Sequence, residues 1–358
     1  MARLTRAEAQ ERNRARVLAA AREEFAERGF REAKIDGIAD RADLTRGAVY
    51  SNFPGKRALY FTVLAELAER ASAVPPAEPA LTVREALGAV ARTWVTRLPL
   101  VTDDEHGPTR LGMDLMPEIL ADEVARKAFA QVMKLNAVLL GLALERLRPP
   151  TTPDGRLVQL AESVLTVLQG AGQLAGAAPG LVDPFNLIRV CEQLADLDLG
   201  DRWSVAPMTP KVRFAAGPWS PPAMLDAITG EPARLAADGV VAVLGVHRLS
   251  AAEDAVRAAP PGAEVTAVVV TSTPDELMPL ARLCVAEVVT CLRAAFPRPA
   301  WPRLRVVYDE TGEVAAAAGV GEPRDATETA LRVESGRIAV RADGFGACHT
   351  AATTEPPR

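Results

Sequence analysis

The stretch Leu44–Lys56 constrains the fold more than any other part of the chain, because a helix start, a short apolar face and a helix stop follow one another within it. Thr45 is a good N-cap, since its hydroxyl accepts a hydrogen bond from a free backbone N–H at the helix start. Val49 and Phe53 lie four residues apart and share one face of a helix. Pro54 ends the helix because proline cannot continue the backbone hydrogen-bond ladder. The stretch therefore predicts a short helix with a single apolar face.

The other sides of this helix are suited to contacts with DNA. Arg46 has the forked guanidinium that binds a guanine edge or a phosphate, and the small residues Gly47 and Ala48 allow a close approach to a groove wall. Free N–H groups at the start of the next helix, together with Lys56, form a phosphate site. The candidate DNA-binding residues are Lys34, Thr45, Arg46, Gly47, Ala48, Tyr50, Ser51, Asn52 and Lys56.

The flanking sequence completes a small helical module. Arg12–Arg28 shows helical spacing of its apolar residues, and Gly29 ends that helix. A shorter amphipathic helix covers Ile35–Ala42, and a fourth helix covers Leu59–Leu67. Four short helices in this order are typical of a helix-turn-helix with one helix before it and one after it.

Residues Val17–Leu64 resemble the DNA-binding domain of the TetR family of bacterial transcriptional regulators. The matching features are Gly29-Phe30, Ile38-Ala39, Thr45-Arg46-Gly47-Ala48-Val49-Tyr50, Asn52-Phe53, Lys56 and Leu59. The chain departs from the family at Asp43, where glycine is usual in the turn, and at Ala33-Lys34, where a hydroxyl residue usually caps the second helix. We expect a positive φ at Asp43, which aspartate tolerates better than most residues, and a weaker cap at Lys34.

The resemblance implies a helical ligand-binding and dimerisation domain over residues 80–200, after a DNA-binding domain over residues 1–70. In this family the last two helices pair with their copies in a four-helix bundle. The predicted dimer interface is Leu157, Leu160, Val164, Leu168, Ala171, Leu174, Phe185 and Ile188. Adaptable apolar side chains and one arginine are candidates for an effector pocket, namely Trp94, Arg110, Met113, Met116 and Met133.

The composition limits the remaining possibilities. Residues 1–60 carry 13 lysines and arginines against nine aspartates and glutamates, whereas the whole chain has a net charge of −5, so a basic head precedes an acidic body. None of the four cysteines forms a C-x-x-C pair, and the acidic loop at Asp103–His106 is better explained by solvation than by a metal. We expect no metal or cofactor. We also expect no membrane span, and therefore a cytoplasmic protein.

The chain continues well beyond the end of an ordinary family member. Residues 201–224 are rich in proline and tryptophan and predict a linker. Residues 225–350 then follow a β-α-β-α-β-β-β pattern, which is typical of an α/β sandwich with a mixed sheet. Within it we expect a helix over Ser250–Ala259, started by a capping box between Ser250 and Glu253.

The end of this region resembles the C-terminal half of a thioredoxin-like fold, through Asp309–Val314, Ala318–Val320 and the hairpin Leu331–Val340. Two features of that fold are missing. His247–Leu249 stands where a C-x-x-C would follow the first strand, and Thr327 lies where a proline is usual. Dithiol catalysis needs a paired thiol of low pKa. The sequence therefore predicts a thioredoxin-like domain that is not an oxidoreductase.

These observations predict a multidomain protein in which an all-α TetR-like regulator is followed by an α/β thioredoxin-like domain. We expect a ligand-responsive repressor that binds a palindromic operator in double-stranded DNA as a homodimer, with a small-molecule effector. Two alternatives remain open at this point. They are a redox-related enzyme and a partner-binding adaptor, each using the C-terminal α/β domain.

Overall fold

The computed structural model describes residues 5–71, 80–99, 111–149, 155–205, 207–214 and 217–355. Four helices form the N-terminal head: α1 (Arg6–Glu32), α2 (Ile35–Arg41), α3 (Arg46–Tyr50) and α4 (Lys56–Ala71). Phe25 and Phe30 of α1 pack on Tyr60 of α4, with ring centroids 5.3 and 4.8 Å apart. This aromatic cluster joins the first helix of the head to its last.

Both local departures from the family pattern have the expected geometry. Asp43 adopts a φ of 49° in the turn before α3, which confirms the left-handed conformation. Lys34 at the start of α2 makes no side-chain capping bond, which confirms the weaker cap. Gly29 interrupts the helical backbone of α1 with a φ of 70° and a ψ of 171°, as expected, and a short helical segment continues beyond it to Glu32.

The described residues in the middle of the chain form five helices: α5 (Val83–Val95), α6 (Leu115–Leu120), α7 (Glu123–Glu145), α8 (Val158–Ala177) and α9 (Pro184–Leu194). No membrane span is expected from the sequence, but helix α7 is long and apolar enough to cross a membrane by length and composition. However, 61% of its most apolar window is buried inside the protein. Packing among α6, α8 and later helices therefore accounts for its apolar character.

The C-terminal region is built on a six-stranded mixed sheet in the order β1-β6-β5-β2-β3-β4. The strands are β1 (Val212–Phe214), β2 (Gly239–Gly245), β3 (Glu264–Val270), β4 (Leu304–Tyr308), β5 (Glu328–Glu334) and β6 (Arg337–Asp343). Strands β2, β3 and β4 are parallel neighbours, while β5 and β6 form an antiparallel hairpin beside β2. The helices are α10 (Ala252–Ala258), α11 (Pro274–Ala295), α12 (Glu313–Ala317) and α13 (Ala347–Thr353).

The α/β prediction is confirmed at the level of a mixed sheet, whereas the thioredoxin-like fold remains a prediction. The region predicted to be a linker differs, because it contains β1, which pairs with β6. Trp203 also donates a hydrogen bond to Asp254 at 3.0 Å, and Trp219 donates one to the carbonyl of Leu235 at 2.8 Å. The proline- and tryptophan-rich residues predicted to be a linker therefore pack, where the structure describes them, on the sheet domain.

The predicted capping box at Ser250 is wrong. Residues Leu249–Ala251 form a 3-10 turn, and α10 begins after it without a side-chain cap. The backbone N–H of Ser250 instead donates to Gln131 of α7, at 3.0 Å. Glu253 pairs with Arg156 and Arg257, so contacts with the helical region override the local capping signal.

The long helix α11 joins the sheet domain to the rest of the protein. It packs on α4, α5 and α7, and its apolar residues belong to the same continuous core as those of the head. The buried amide of Asn136 on α7 donates to the carbonyl of Cys284 on α11, at 2.9 Å. In the described residues, the helical region and the sheet region therefore share one core, although the sequence suggests separate domains.

Candidate DNA-binding surface and effector cavity

Helix α3 is held on the head by its predicted apolar face. Val49 and Phe53 are buried, and the hydroxyl of Thr45 accepts a hydrogen bond from the backbone N–H of Ala48 at 3.2 Å. Arg14 of α1 lies over the Phe53 ring, with its guanidinium carbon 4.4 Å from the ring centroid. The cap and the apolar face that predict this helix are also the groups that attach it to the rest of the head.

The opposite side of α3 is open to solvent. Thr45, Arg46, Gly47, Tyr50 and Ser51 are exposed, and Tyr50 retains 43% of its accessible surface. The guanidinium carbon of Arg46 lies 5.5 Å from the centroid of the Tyr50 ring, and Arg46 also pairs with Asp36 at 3.4 Å. Together, Arg46 and Tyr50 present a charged fork beside an aromatic ring on one exposed face.

Two of the candidate DNA contacts also stabilise the end of α3. The Ser51 hydroxyl and the Asn52 amide both donate to the carbonyl of Ala48, at 2.9 and 2.8 Å. The Asn52 backbone carbonyl accepts from Arg14 at 3.1 Å. The Asn52 side-chain oxygen is buried without a hydrogen-bond partner among the described residues. The amide group of Asn52 is thus directed into the head more than out of it.

Lys56 is engaged inside the head. Its ammonium donates to the carbonyls of Phe30, Arg31 and Ala33 at 2.8, 3.2 and 3.1 Å, which accounts for all three of its N–H donors. A phosphate contact through this ammonium would compete with those bonds. Lys34, by contrast, is exposed to solvent. Of the two lysines, Lys34 is the better placed for a phosphate.

A cavity of about 340 Å³ lies between the helical region and α11. Three of the predicted pocket residues line it, namely Trp94, Met113 and Met116. Met133 is not among the lining residues, and its sulfur lies 4.0 Å from the amide nitrogen of Asn136. The prediction for Arg110, like that for the loop Asp103–His106, falls outside the described residues.

The charged groups among the described residues of the cavity come from two parts of the chain. Arg97 follows α5, and one of its guanidinium nitrogens, Nη1, donates to the backbone carbonyl of Glu287 on α11 at 3.2 Å. Its Nη2 is buried without an acceptor in the described structure. Burial raises the pKa of the Glu287 carboxyl, and the nearby positive charge of Arg97 opposes that change. Sequence reasoning missed both residues.

A sequence signal for Glu287 does exist. The apolar face of α11 repeats every three or four residues through Leu280, Cys284, Glu287 and Cys291, so one acidic residue interrupts a buried stripe. A lone charge in such a stripe is costly unless something pairs with it. Arg97 offers no comparable signal, because it sits at a helix end where arginine is ordinary.

The cavity is directly connected to the DNA-binding head. Leu64 of α4 lines it together with Leu283, Cys284 and Glu287 of α11. At the start of α4, Arg57 forms ion pairs with Asp122 of the helical region, at 2.9 Å, and with Glu276 of α11. Helix α4 therefore belongs both to the DNA-binding head and to the cavity wall.

The predicted dimer residues of α8 and α9 fall into a buried group and a more exposed group. Five of them are buried in the core of the chain itself, so they have no surface to offer a partner and their assignment is wrong: Leu157, Leu160, Val164, Leu168 and Ala171. The stripe that predicted an interface packs on α7 instead. Leu174 and Phe185 are 47% and 76% exposed, and Ile188 is half-buried. Leu181, between α8 and α9, is exposed as well.

The described residues contain no group of acidic, histidine and cysteine side chains arranged to hold a metal. All four cysteines are buried as free thiols. Burial raises the pKa of Cys191 and of Cys291 to about 11, and it raises those of Cys284 and Cys348 as well. Thiols of raised pKa are poor nucleophiles at neutral pH, so these cysteines are unsuited to redox catalysis.

Comparison with solved structures gives matches to about half of the chain. A transcriptional regulator from Rhodococcus sp. Rha1 matches with 22% identity and a TM-score of 0.35, over 51% of this chain and 93% of its own. NalD, the secondary repressor of the MexAB-OprM multidrug efflux pump in Pseudomonas aeruginosa, matches with 21% identity and a TM-score of 0.31, over 52% of this chain and 95% of its own.

Comparison with known sequences is more informative. The profile of the family described as bacterial regulatory proteins, tetR family, matches residues 17–63. Two Pseudomonas putida proteins, the HTH-type transcriptional regulator SrpR and the uncharacterized HTH-type transcriptional regulator TtgW, are each 40% identical over 108 residues, or 30% of this chain. That match spans 46% of SrpR and 73% of TtgW. With its helix-turn-helix in place and this share of TtgW matched, the chain belongs to the TetR family of DNA-binding transcriptional regulators.

Proposed function

We propose that this protein is a repressor that binds a palindromic operator as a homodimer and leaves it when an effector enters the cavity beside α4. The observation that carries the proposal is the exposed pair Arg46 and Tyr50 on a helix whose opposite face is buried. A helix held in this way presents its free side chains to base edges in a major groove.

The homodimer is supported by the small size of the recognition helix. Helix α3 spans five residues, so one copy contacts few base pairs. Two-fold symmetric proteins solve this by reading two half-sites about one helical turn apart. The apolar patch of Leu174, Leu181 and Phe185 is the surface we assign to the partner copy.

Ligand response is supported by the position of the cavity. The wall contributed by Leu64 belongs to α4, so an effector that displaces this wall changes the spacing of the two heads. Simultaneous contact with both half-sites depends on that spacing. Coupling between two such sites is typically worth about 1–3 kcal/mol, or a 5- to 150-fold change in affinity.

The test is operator binding by a Tyr50→Ala variant, with Phe214→Ala as the matched control at an exposed aromatic residue of the sheet domain. We expect the Tyr50 variant to lose about 10- to 100-fold in affinity, the cost of one to two base contacts, while its thermal stability is unchanged. The control should bind like the unmodified protein. Equal binding by both variants in a gel-shift titration would contradict the assignment of α3.

A further inference from the structure

We infer that the effector is an apolar carboxylic acid, and that its carboxylate binds between Arg97 of the helical region and Glu287 of the sheet domain. This inference rests on the proposed function, since it names the ligand class of the same cavity. It also gives the C-terminal domain a role, because Glu287 belongs to that domain.

The body of the ligand follows from the cavity lining. Apolar side chains from four different segments surround the space, among them Trp94, Leu115, Phe129 and Leu283. The volume of about 340 Å³ lies within the range of about 300–1,000 Å³ that is usual for small-molecule sites. Such a lining stabilises a hydrocarbon chain or ring by removing it from water.

The acidic group follows from Arg97. Its Nη2 is buried and has no acceptor in the described structure, although Nη1 donates to the Glu287 carbonyl at 3.2 Å. A buried donor without an acceptor is costly, so an acceptor brought by the ligand restores a hydrogen bond. A carboxylate also matches the charge and the planar fork of a guanidinium, which makes the bond stronger than one to a neutral oxygen.

Glu287 is compatible with an anionic ligand because its environment favours the neutral carboxyl. Burial among Leu283, Cys284 and Trp94 raises its pKa, and a protonated carboxyl donates a hydrogen bond to a carboxylate. Among the described residues of the lining, Arg97 is the basic side chain and Glu287 is the acidic one. The raised pKa of Glu287 weakens the negative charge that opposes Arg97, so the unpaired guanidinium nitrogen of Arg97 favours an anion over a cation at this end of the cavity.

The site is incomplete without the sheet domain. Helix α11 supplies Leu283, Cys284 and Glu287 as one wall, and the same helix is paired to α4 through Arg282 and Glu69. A ligand bound against this wall therefore contacts the C-terminal domain and, through Leu64, the helix of the DNA-binding head. In this arrangement the appended domain selects the effector and does not merely accompany the regulator.

The test uses the full-length protein and three eight-carbon probes that differ only in the head group: octanoate, octylammonium and octanol. Isothermal titration calorimetry at neutral pH measures each affinity for the unmodified protein and for Arg97→Met and Glu287→Gln variants. We expect octanoate to bind at least tenfold more tightly than either other probe. Arg97→Met should remove that preference, as the loss of one charge-assisted hydrogen bond predicts.

Glu287→Gln is the control for charge, because an amide still donates a hydrogen bond. We expect octanoate to keep or increase its preference over octylammonium in this variant, because no negative charge then faces the ligand. Loss of that preference would contradict the inference, and this result does not depend on whether Arg97→Met folds. Tighter binding of octylammonium, with its loss in Glu287→Gln, would overturn the inference. So would equal binding, or no binding, of the three probes. Operator binding by the same preparation shows separately whether the proposed function stands.

Discussion

Arg282 on α11 and Glu69 on α4 form a bidentate ion pair, with Nε–Oε1 at 2.8 Å and Nη2–Oε2 at 2.7 Å. The Arg282 guanidinium also bonds Glu310 at 2.8 Å. These carboxylates raise the pKa of the Arg282 guanidinium, so the arginine stays charged. The pair holds the sheet domain against the helix that carries the DNA-binding head.

We predict that Arg282→Met lowers the free energy of unfolding by about 1 kcal/mol. The pair is partly exposed, so its contribution lies between that of a surface ion pair and that of a buried charged hydrogen bond. Urea denaturation of Arg282→Met, Glu69→Gln and the double variant measures the coupling. Additive effects of the two single changes would show that the ion pair contributes no coupling between the domains.

We predict opposite consequences for the two lysines of the head. Lys56→Met removes three hydrogen bonds to backbone carbonyls and should lower the free energy of unfolding by about 2 kcal/mol. Lys34→Met changes an exposed side chain and should alter stability by less than about 0.5 kcal/mol.

The same pair of lysine variants separates structural from DNA-contact roles. Loss of one phosphate contact reduces the slope of log affinity against log salt by about 1, and we expect this for Lys34→Met. Thermal melting and salt-dependent DNA titration measure the two properties. If Lys34→Met leaves the salt slope unchanged, Lys34 makes no phosphate contact.

We predict that Phe185→Asp prevents the proposed dimer from forming and leaves the chain folded. Phe185 is 76% exposed in the single chain, so the charge meets water in the monomer but lies in an apolar interface in the dimer. Phe214→Asp is the matched control, because Phe214 is also largely exposed but lies on β1, far along the chain from α9. Analytical ultracentrifugation gives the masses. A dimeric Phe185→Asp variant would place the interface elsewhere.

We predict a pH dependence of stability that belongs to Glu287. Because its folded-state pKa is raised above the ordinary value of 4.5, the folded protein binds this proton more tightly than the unfolded chain does. Stability contributed by the protonated group is therefore lost as the pH rises from 4.5 through the folded-state pKa. Denaturation of the unmodified protein and of Glu287→Gln at several pH values isolates the effect, and parallel curves would contradict it.

The sequence predicts the head well because local signals and packing agree there. Thr45, Val49 and Phe53 each have a role that depends on neighbours within a few residues, and the structure places all three as expected. Strands β2 to β6 are likewise recognisable, since runs of valine and alternating residues reflect burial on the two faces of a sheet.

Contacts between distant segments explain what the sequence does not predict. An amphipathic stripe shows that a helix has a buried face, but it does not say whether the same chain or a second copy covers it. The residues from Leu157 to Ala171 therefore belong to the internal core, although the stripe suggests an interface. For the same reason, Glu287 and Trp94 line one cavity although they are far apart in the sequence. Only the packing of α11 reveals this.

The central claim is that two copies of α3 read two symmetric half-sites. Selection of bound sequences from random double-stranded DNA by the purified protein measures this directly. We predict a palindrome whose half-site centres lie about one helical turn apart, and Tyr50→Ala should abolish its enrichment. Enrichment of a site without two-fold symmetry, or of no sequence at all, would contradict the account.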